Sequence, residues 1–103
     1  MSDQIVVTNN VAAGRFEVTQ GGEIALAQYR LEPGVIVLPH TEVPDAFAGK
    51  GVASALARTA LQYARDHGLQ VVPTCSFMAG FITKHPEHHD LVHPDCKARL
   101  GLA

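Results

Sequence analysis

The sequence predicts an α+β domain in which an antiparallel meander of about four strands precedes a helix, a further strand and a second helix. Up to residue 43, apolar and polar residues alternate with the period of strands, and Gly-containing turns separate the runs. From residue 51 to residue 67 the apolar spacing becomes helical, and a short β-branched run follows. A right-handed crossover through that helix makes its two flanking strands parallel, so the sheet should be mixed.

The four strands of the meander are predicted from short runs that end at turn residues. The runs cover residues 5–8, 15–19, 23–32 and 35–43. Between the second and third runs, Gly21-Gly22 is typical of a two-residue hairpin turn. Pro33-Gly34 is typical of a second tight turn, between the third run and the fourth. Connections this short make their flanking strands antiparallel neighbours.

A long helix is predicted over residues 52–67, where apolar side chains recur at helical spacing and Gly68 follows as a C-terminal cap. Residues 69–72 should form a buried strand because they are apolar and β-branched. A shorter helix is predicted over residues 77–84, and Pro86 ends it.

The composition is typical of one folded domain. The chain has 103 residues, of which 47% are hydrophobic and 17% charged, and this suffices for one modest core. We expect a single domain over residues 1–103, with a polar tail from His88 that receives no element and is less ordered from about residue 93. The net charge of −2 and the pI near 6.3 argue against nucleic acid as a partner.

The chain also predicts a cytoplasmic protein without a membrane partner. No stretch approaches the roughly 20 apolar residues of a membrane span, and the N-terminus lacks the pattern of a secretory leader. In that compartment Cys75 and Cys96 should be free thiols rather than a disulfide.

An opening is predicted between the two parallel strands. Pro73 directly follows the later strand and has no N–H with which to continue the ladder. The strands before and after the long helix should therefore pair at their starts and separate near Pro73. The resulting wedge would lie beside the start of the long helix, where it could hold an extended ligand arm that carries amide groups.

The segment 47–53, Phe-Ala-Gly-Lys-Gly-Val-Ala, places two glycines and a lysine before the long helix. The free N–H groups of a first helical turn and the positive end of its dipole favour an anion, most naturally phosphate. Lys50 is unfavourable there for the helix alone but useful to a bound phosphate. The spacing fits neither a Walker loop nor a dinucleotide fingerprint. Taken alone, the segment is also typical of a Gly-rich turn that enters a helix.

Three segments together resemble the small, single-domain branch of the GNAT acetyltransferase superfamily. They are Val-Pro-Asp-Ala-Phe-Ala-Gly-Lys-Gly-Val-Ala at 43–53, Ala-Leu-Gln-Tyr-Ala-Arg-Asp-His-Gly-Leu-Gln-Val-Val-Pro-Thr-Cys-Ser-Phe at 60–77, and Lys-His-Pro-Glu-His-His-Asp-Leu-Val at 84–92. The resemblance covers about half of the chain by motif and nearly all of it by element order. It implies the GNAT fold and binding of acetyl-CoA.

The superfamily's pyrophosphate loop, Gln/Arg-x-x-Gly-x-Gly/Ala, maps onto residues 48–53. Gly51 and Ala53 match the two small positions, whereas Ala48 stands where Gln or Arg is usual, so one side-chain contribution is missing. The resemblance implies that the pantetheine arm lies between residues 38–42 and 71–74. It implies acetyl-CoA contacts at Leu38, Thr41, Glu42, Gly49, Lys50, Gly51, Val52, Ala53, Ser54, Cys75, Phe77, Lys84 and His85.

His40 and Cys75 are the candidate catalytic residues. The larger family often has a tyrosine on its last helix as general acid, and residues 77–84 contain none. His40 could accept the amine proton, directly or through water. Cys75 could protonate the departing CoA thiolate or carry the acetyl group as a nucleophile. The plainer interpretations are a strand-end histidine and a buried, small apolar cysteine; Phe77, paired with Phe81 at i, i+4, is also typical of a core.

The leading hypothesis is an N-acetyltransferase that moves an acetyl group from acetyl-CoA to a primary amine of a small molecule or a protein. A non-catalytic acyl-CoA-binding module that senses CoA or regulates a partner is the alternative, which the missing tyrosine favours. The third hypothesis is a metal-binding domain, because His85, His88, His89, His93 and Cys96 are dense near the end of the chain. Their spacing lacks the regular pairs of zinc sites, so no metal ligand is predicted.

Overall fold

The computed structural model describes residues 5–102, and residues 1–4 and 103 of the predicted domain lie outside that range. Over the described residues the chain forms five strands, three α-helices and two short 3-10 segments. In chain order these are β1 (Thr8–Asn10), β2 (Arg15–Gln20), β3 (Glu23–Glu32), β4 (Val35–Glu42), the 3-10 segment Asp45–Phe47, α1 (Val52–Asp66), β5 (Gln70–Val72), α2 (Ser76–Lys84), the 3-10 segment Pro86–Leu91 and α3 (Pro94–Leu100).

The strands form one mixed sheet in the order β1-β2-β3-β4-β5, which confirms the predicted fold class. Neighbours from β1 to β4 are antiparallel, and β4 and β5 are parallel. The β2–β3 turn places Gly21 at φ 57° and Gly22 at φ 82°, so both central positions are left-handed, as a type I′ hairpin requires.

The first strand differs from the prediction, because β1 covers Thr8–Asn10 rather than residues 5–8. Asn9 and Asn10, which directly follow the predicted run, lie inside the strand. Their side chains have partners on β2 and β3: Asn10 Nδ2 donates to Glu17 Oε2 at 3.1 Å, and the Tyr29 hydroxyl donates to Asn9 Oδ1 at 2.8 Å. These cross-strand bonds offset the low strand propensity of asparagine.

The long helix α1 begins where the sequence predicts and ends one residue earlier, at Asp66. Gly68 follows with φ 64° and donates to the Arg65 carbonyl at 3.3 Å, while the Leu69 N–H donates to the Ala64 carbonyl at 2.9 Å. This is the Schellman cap that Gly68 predicts. Neither α1 nor another helix within residues 5–102 is long and apolar enough to cross a membrane.

Both α1 and α2 lie on one face of the sheet. Val92 forms a parallel bridge to Val71 of β5, so β4, β5 and Val92 follow one another across the sheet in one direction. Right-handed crossovers then put both connecting helices on the same side. One core forms there, from Phe16, Val18, Ala25, Ala27, Ile36, Leu38, Phe47, Val52, Leu56, Ala57, Ala60, Leu61, Ala64, Val71, Met78, Phe81, Ile82, Leu91, Val92 and Cys96.

The tail, for which the sequence predicted no element, contains the 3-10 segment Pro86–Leu91 and the helix α3. His93 caps α3 by accepting the Asp95 N–H at 3.2 Å. Cys96, on α3, is only 4% exposed and belongs to the core. The end of the described chain is therefore packed against the domain.

Candidate functional site

The Gly-rich loop ends in a run of unpaired backbone amides at the start of α1. Gly49 and Gly51 have φ of 74° and 75°, a left-handed conformation that glycine adopts without strain. The amides of Gly49, Gly51, Val52, Ala53 and Ser54 donate to no backbone carbonyl within residues 5–102. These donors and the positive end of the α1 dipole together form a site suited to an anion such as phosphate.

Three of the predicted contact residues have either the main-chain amide or the side chain engaged within the protein. The backbone amide of Lys50, a predicted contact residue, is not available to a ligand, because it donates to the Phe47 carbonyl at 3.1 Å. Lys50 is left with its exposed side chain. The side chains of Val52 and Leu38 are in the core, so only their main-chain atoms can contact a ligand.

A cavity of about 400 Å³ lies between the first turn of α1 and α2. Its lining is formed by Ser54, Ser76, Phe77, Gly80, Phe81, Lys84 and His85. Four of these, Ser54, Phe77, Lys84 and His85, are contacts that the sequence implied. A larger cavity of about 480 Å³ lies between α1 and the first strands, and none of the predicted residues lines it. We assign the smaller cavity to the candidate site because it adjoins the unpaired amides.

A bulge in β4 determines where the last side chains of that strand point. The pairing of β3 with β4 shifts by one residue at Leu38 and Pro39, which together lie opposite Tyr29. Pro39 has no N–H to give to the ladder, and a bulge tolerates that loss. One extra residue inverts the alternation of the side chains that follow it.

Beyond the bulge, Thr41 takes the face of the sheet that Leu38 occupies before it. Thr41 lies opposite Ala27, which belongs to the core on that face. His40 and Glu42 therefore point to the other face. Without the bulge, the alternation would have placed His40 on the face of Leu38.

Cys75 lies at the N-cap of α2, beyond the end of the β4–β5 pairing. That pairing ends with Val37 opposite Val72, and one further hydrogen bond, from the Cys75 N–H to the Leu38 carbonyl at 3.0 Å, joins the two segments. Cys75 Sγ lies 3.6 Å from Thr41 Oγ1. Beyond Leu38 no backbone hydrogen bond joins the two segments among the described residues, so the strands cease to pair there, and the Thr41 and Cys75 side chains meet between them.

The surroundings of Cys75 favour its thiolate. Burial alone would raise the pKa of the thiol, but the backbone amide of Met78, the Thr41 hydroxyl and the amide of Phe77 outweigh it and hold the pKa below its ordinary value. The two amides exert this effect although they form no full capping hydrogen bond with the side chain. A free, half-buried thiol of this kind can act as a nucleophile and, when protonated, as an acid.

His40 is exposed and bonded to a carboxylate, with Nε2 2.9 Å from Glu42 Oε2. When Nε2 carries the proton of this bond, Nδ1 is free to accept another. Within residues 5–102 no hydrogen bond joins His40 to Cys75. Cys75 contacts Thr41, whose side chain lies on one face of β4, whereas the His40 side chain points to the other face. The two candidate catalytic side chains therefore lie on different faces of the strand.

The histidines after α2 cap that helix. His85 Nδ1 lies 2.6 Å from the Phe81 carbonyl, so this ring satisfies an oxygen that the helix end leaves unpaired. His89 Nε2 lies 2.9 Å from the Ile82 carbonyl, which also accepts the His85 N–H at 3.0 Å. The His85 ring also stacks on Phe81, with centroids 4.0 Å apart. In the described part of the chain no three His, Cys, Asp or Glu side chains are placed to hold a metal ion.

Sequence reasoning missed two parts of this site. Ser76 and Gly80 line the cavity and are four residues apart on α2. Because Phe77 and Lys84 of the same helix were predicted contacts, helical spacing could have indicated these two residues as well. The contact between Thr41 and Cys75 joins residues 34 positions apart. Its one signal in the sequence is a proline inside a predicted strand, which is typical of a bulge.

The family model for GCN5-related N-acetyl-transferase matches residues 15–91. The chain belongs to this family. The matched part runs from β2 through the Gly-rich loop, both strands of the wedge and α2 to the last residue of the 3-10 segment Pro86–Leu91. Thus the GNAT match contains every residue of the candidate site.

The GNAT relatives of this chain include vertebrate proteins named Protein NATD1. The one from Bos taurus is 38% identical over 52 residues, which cover 50% of this chain and 46% of that protein. The one from Gallus gallus is 36% identical over 59 residues, which cover 57% and 54%. The chain thus spans about half the length of these curated relatives.

A solved structure has the same fold. It is the NMR solution structure of a GCN5-like protein from Staphylococcus aureus, with a TM-score of 0.69 and 23% identity over 86% of this chain and 88% of that one. This likeness confirms the GNAT architecture that the sequence predicted, with its antiparallel meander and parallel β4–β5 pair.

Proposed function

We propose that this GNAT domain transfers the acetyl group of acetyl-CoA to a primary amine. The observation that carries the proposal is the run of unpaired amides at Gly49 and from Gly51 to Ser54. Ser54 of this run lines the cavity along α2, and Ser76, the residue after Cys75, lines the same cavity. One surface therefore offers phosphate donors and a candidate reaction centre.

The residues present fit the chemical parts of acetyl-CoA. The unpaired amides and the α1 dipole suit the pyrophosphate. Lys84 lies at the cavity lining, where it suits a further phosphate. His85 lies there too, and because its Nδ1 donates to the Phe81 carbonyl, Nε2 of the neutral ring suits an amino or hydroxyl donor of the nucleotide. Within residues 5–102, the β4 edge beyond Leu38 pairs with no strand on the β5 side, and it suits the amide groups of a pantetheine arm.

The reaction needs a proton acceptor for the amine and a proton donor for the leaving sulfur. His40 Nδ1 would accept the proton that the amine loses as its nitrogen bonds to the thioester carbon. Cys75 would give its proton to the CoA sulfur when the C–S bond breaks. Alternatively, the Cys75 thiolate would displace CoA, and the amine would then take the acetyl group from Cys75.

Two specific observations favour the non-catalytic alternative. His40 and Cys75 lie on different faces of β4, and the last helix of the domain's αβα part, α2, carries no tyrosine. A module that binds an acyl-CoA and regulates a partner needs only the amides and the cavity. The metal-binding hypothesis has no comparable support, because His85 and His89 are engaged in capping α2.

The test is a calorimetric titration of acetyl-CoA into the purified protein and into Gly51→Glu, with Gly34→Glu as matched control. Gly51 and Gly34 have φ of 75° and 71°, and an added Cβ meets nothing within 4 Å at either, so both substitutions impose the same backbone strain. We expect binding on the order of micromolar Kd in the wild type and in Gly34→Glu. Gly51→Glu should bind at least about tenfold more weakly, because a carboxylate would oppose the pyrophosphate.

Turnover then separates the two functions. We expect acetyl transfer to a primary amine from a mixed library, and we expect His40→Gln and Cys75→Ala to lower turnover while retaining acetyl-CoA affinity. Tight binding without transfer to any amine would favour the regulatory module. Absence of binding in the wild type would overturn both.

The acceptor and the location belong to the same proposal. A primary amine on a small molecule or a protein fits the reaction that His40 and Cys75 could perform. A cytoplasmic location agrees with the two free thiols of Cys75 and Cys96, since a reducing compartment keeps them so.

A further inference from the structure

We propose that Thr41 is a positioning residue for Cys75: its hydroxyl holds Sγ at the mouth of the opening between β4 and β5. The inference rests on the proposed function, because that function gives the Cys75 thiol a chemical role. It adds a residue for which the resemblance implied only contact with acetyl-CoA.

The first step is how Thr41 comes to face Cys75. The bulge at Leu38 and Pro39 inverts the side-chain alternation of β4, so Thr41 rather than His40 points to the face where α2 begins. The contact therefore depends on the one-residue insertion in β4. Threonine is also β-branched, so few rotamers are open to it and the hydroxyl is held in place.

The second step is that the main chain of Cys75 is already fixed. Its N–H donates to the Leu38 carbonyl at 3.0 Å, and its carbonyl accepts the Ala79 N–H at 3.0 Å. What remains free is the rotation that aims Sγ. Thr41 Oγ1, at 3.6 Å, is the side-chain hydrogen-bond partner of Sγ among the described residues, beside the backbone amides of Met78 and Phe77 that also act on it. The Thr41 hydroxyl therefore supplies the side-chain contact that helps to set the direction of the thiol.

The third step is the chemistry of a hydroxyl at this point. A hydroxyl accepts from a thiol and, after rotation, donates to a thiolate, so Thr41 can hold Sγ in both protonation states. The Thr41 hydroxyl is also among the groups that hold the pKa of Cys75 below its ordinary value. Valine has the same shape as threonine and can do neither.

The experiment measures the rate of Cys75 alkylation by iodoacetamide as a function of pH, with peptide mass spectrometry to separate Cys75 from Cys96. The variants are Thr41→Val, Thr41→Ser and Thr41→Ala, and Thr83→Val is the control. Thr83 bonds only its own helix, through the Ala79 carbonyl at 2.8 Å, so its loss should leave Cys75 unchanged.

We expect the thiol pKa to rise in Thr41→Val and Thr41→Ala. Alkylation near neutral pH should slow by roughly three- to tenfold, as the loss of one hydrogen bond to a charged group implies. Thr41→Ser, which keeps the hydroxyl, should restore much of the wild-type profile. Equal alkylation profiles in all folded variants would overturn the inference, and Thr41→Ala answers the question if Thr41→Val does not fold.

Acetyl transfer is measured separately, so that failure of the function and failure of the inference are distinguishable. If the wild type transfers acetyl groups, Thr41→Val should lower kcat by a larger factor than it raises the Kd for acetyl-CoA, because Thr41 is itself an implied acetyl-CoA contact. If the Thr41 variants change the alkylation of Cys75 but the protein transfers no acetyl group, the inference is retained and the proposed function is rejected. If the wild type is an active enzyme but Thr41→Val leaves the alkylation of Cys75 unchanged, the proposed function is retained and the inference is rejected.

Discussion

His88 is the residue whose charged form the fold most clearly opposes. Its side chain is 17% exposed, and Nδ1 has no hydrogen-bond partner within the described residues. Burial lowers the pKa of His88 below 6.5, and the charges of Arg65 and His85 act in the same direction. Glu87 and Asp90 act against this shift without reversing it.

The pKa shift of His88 predicts an acid-sensitive stability. The unfolded chain, with a pKa near 6.5, binds more protons than the folded one between the two pKa values. Stability should therefore be fully present above pH 6.5 and decrease as the pH falls through the lower folded pKa. We expect His88→Phe to lose less stability than the wild type between pH 7 and pH 5, measured by urea unfolding. His40→Gln, at an exposed site, is the control, and equal pH slopes in wild type and His88→Phe would contradict the prediction.

Residue identity alone predicted part of the candidate site. Cys75 lies two residues after Pro73 and just before a predicted helix. Because the sequence shows both the proline and the helix, the place of Cys75 at a helix N-terminus was predictable. The direction of His40 was not, because it depends on the register of β4 against β3. A one-residue bulge reverses that direction, and the sequence marks the bulge only by Pro39.

At the scale of elements, the two glycines at the end of α1 and within α2 have opposite roles. Gly68 has φ 64° and closes the Schellman cap of α1, where a side chain is strained. Gly80 lies inside α2 without a positive φ, and an added Cβ there meets nothing within 4 Å. The same substitution should therefore change stability in opposite directions at the two positions.

We predict that Gly68→Ala lowers the free energy of unfolding by about 1 kcal/mol, because alanine resists the left-handed region. Gly80→Ala should raise it by about 0.5–1 kcal/mol, because alanine is the better helix former. Chemical denaturation followed by circular dichroism measures both. The prediction fails if the two variants shift the midpoint in the same direction.

Elements with strong periodicity were predicted almost to the residue, and those with polar partners were not. α1 and the β2–β3 hairpin follow from apolar spacing and from glycines in left-handed positions. β1 begins three residues and ends two residues later than predicted, because asparagine side chains find partners that only the folded sheet supplies. α3 was missed although His93-Pro94 and Gly101 are cap signals, since its buried face contains little beyond Cys96.

At the scale of the whole molecule, one core contains both the residues that match the family and the helix α3 that lies beyond the match. Residues 15–91 match the GCN5-related N-acetyltransferase family, and α3 lies beyond them. Yet Cys96 of α3 belongs to the same buried cluster as α1 and the sheet, and the His93 N–H donates to the Val71 carbonyl at 2.9 Å. This continuity indicates that α3 unfolds together with the domain rather than before it.

Cys96→Ala tests whether α3 belongs to the cooperative unit. Loss of a fully packed sulfur should lower the free energy of global unfolding by about 1 kcal/mol without changing the denaturant m-value. Cys75→Ala is the matched control, since that side chain is only half-buried and should cost less. Urea unfolding followed by circular dichroism, and by fluorescence of Tyr29 and Tyr63, which pack against the core, measures both. If α3 were an independent appendage, Cys96→Ala would leave the tyrosine transition unchanged, because the loss would be confined to a segment that had already separated from the sheet.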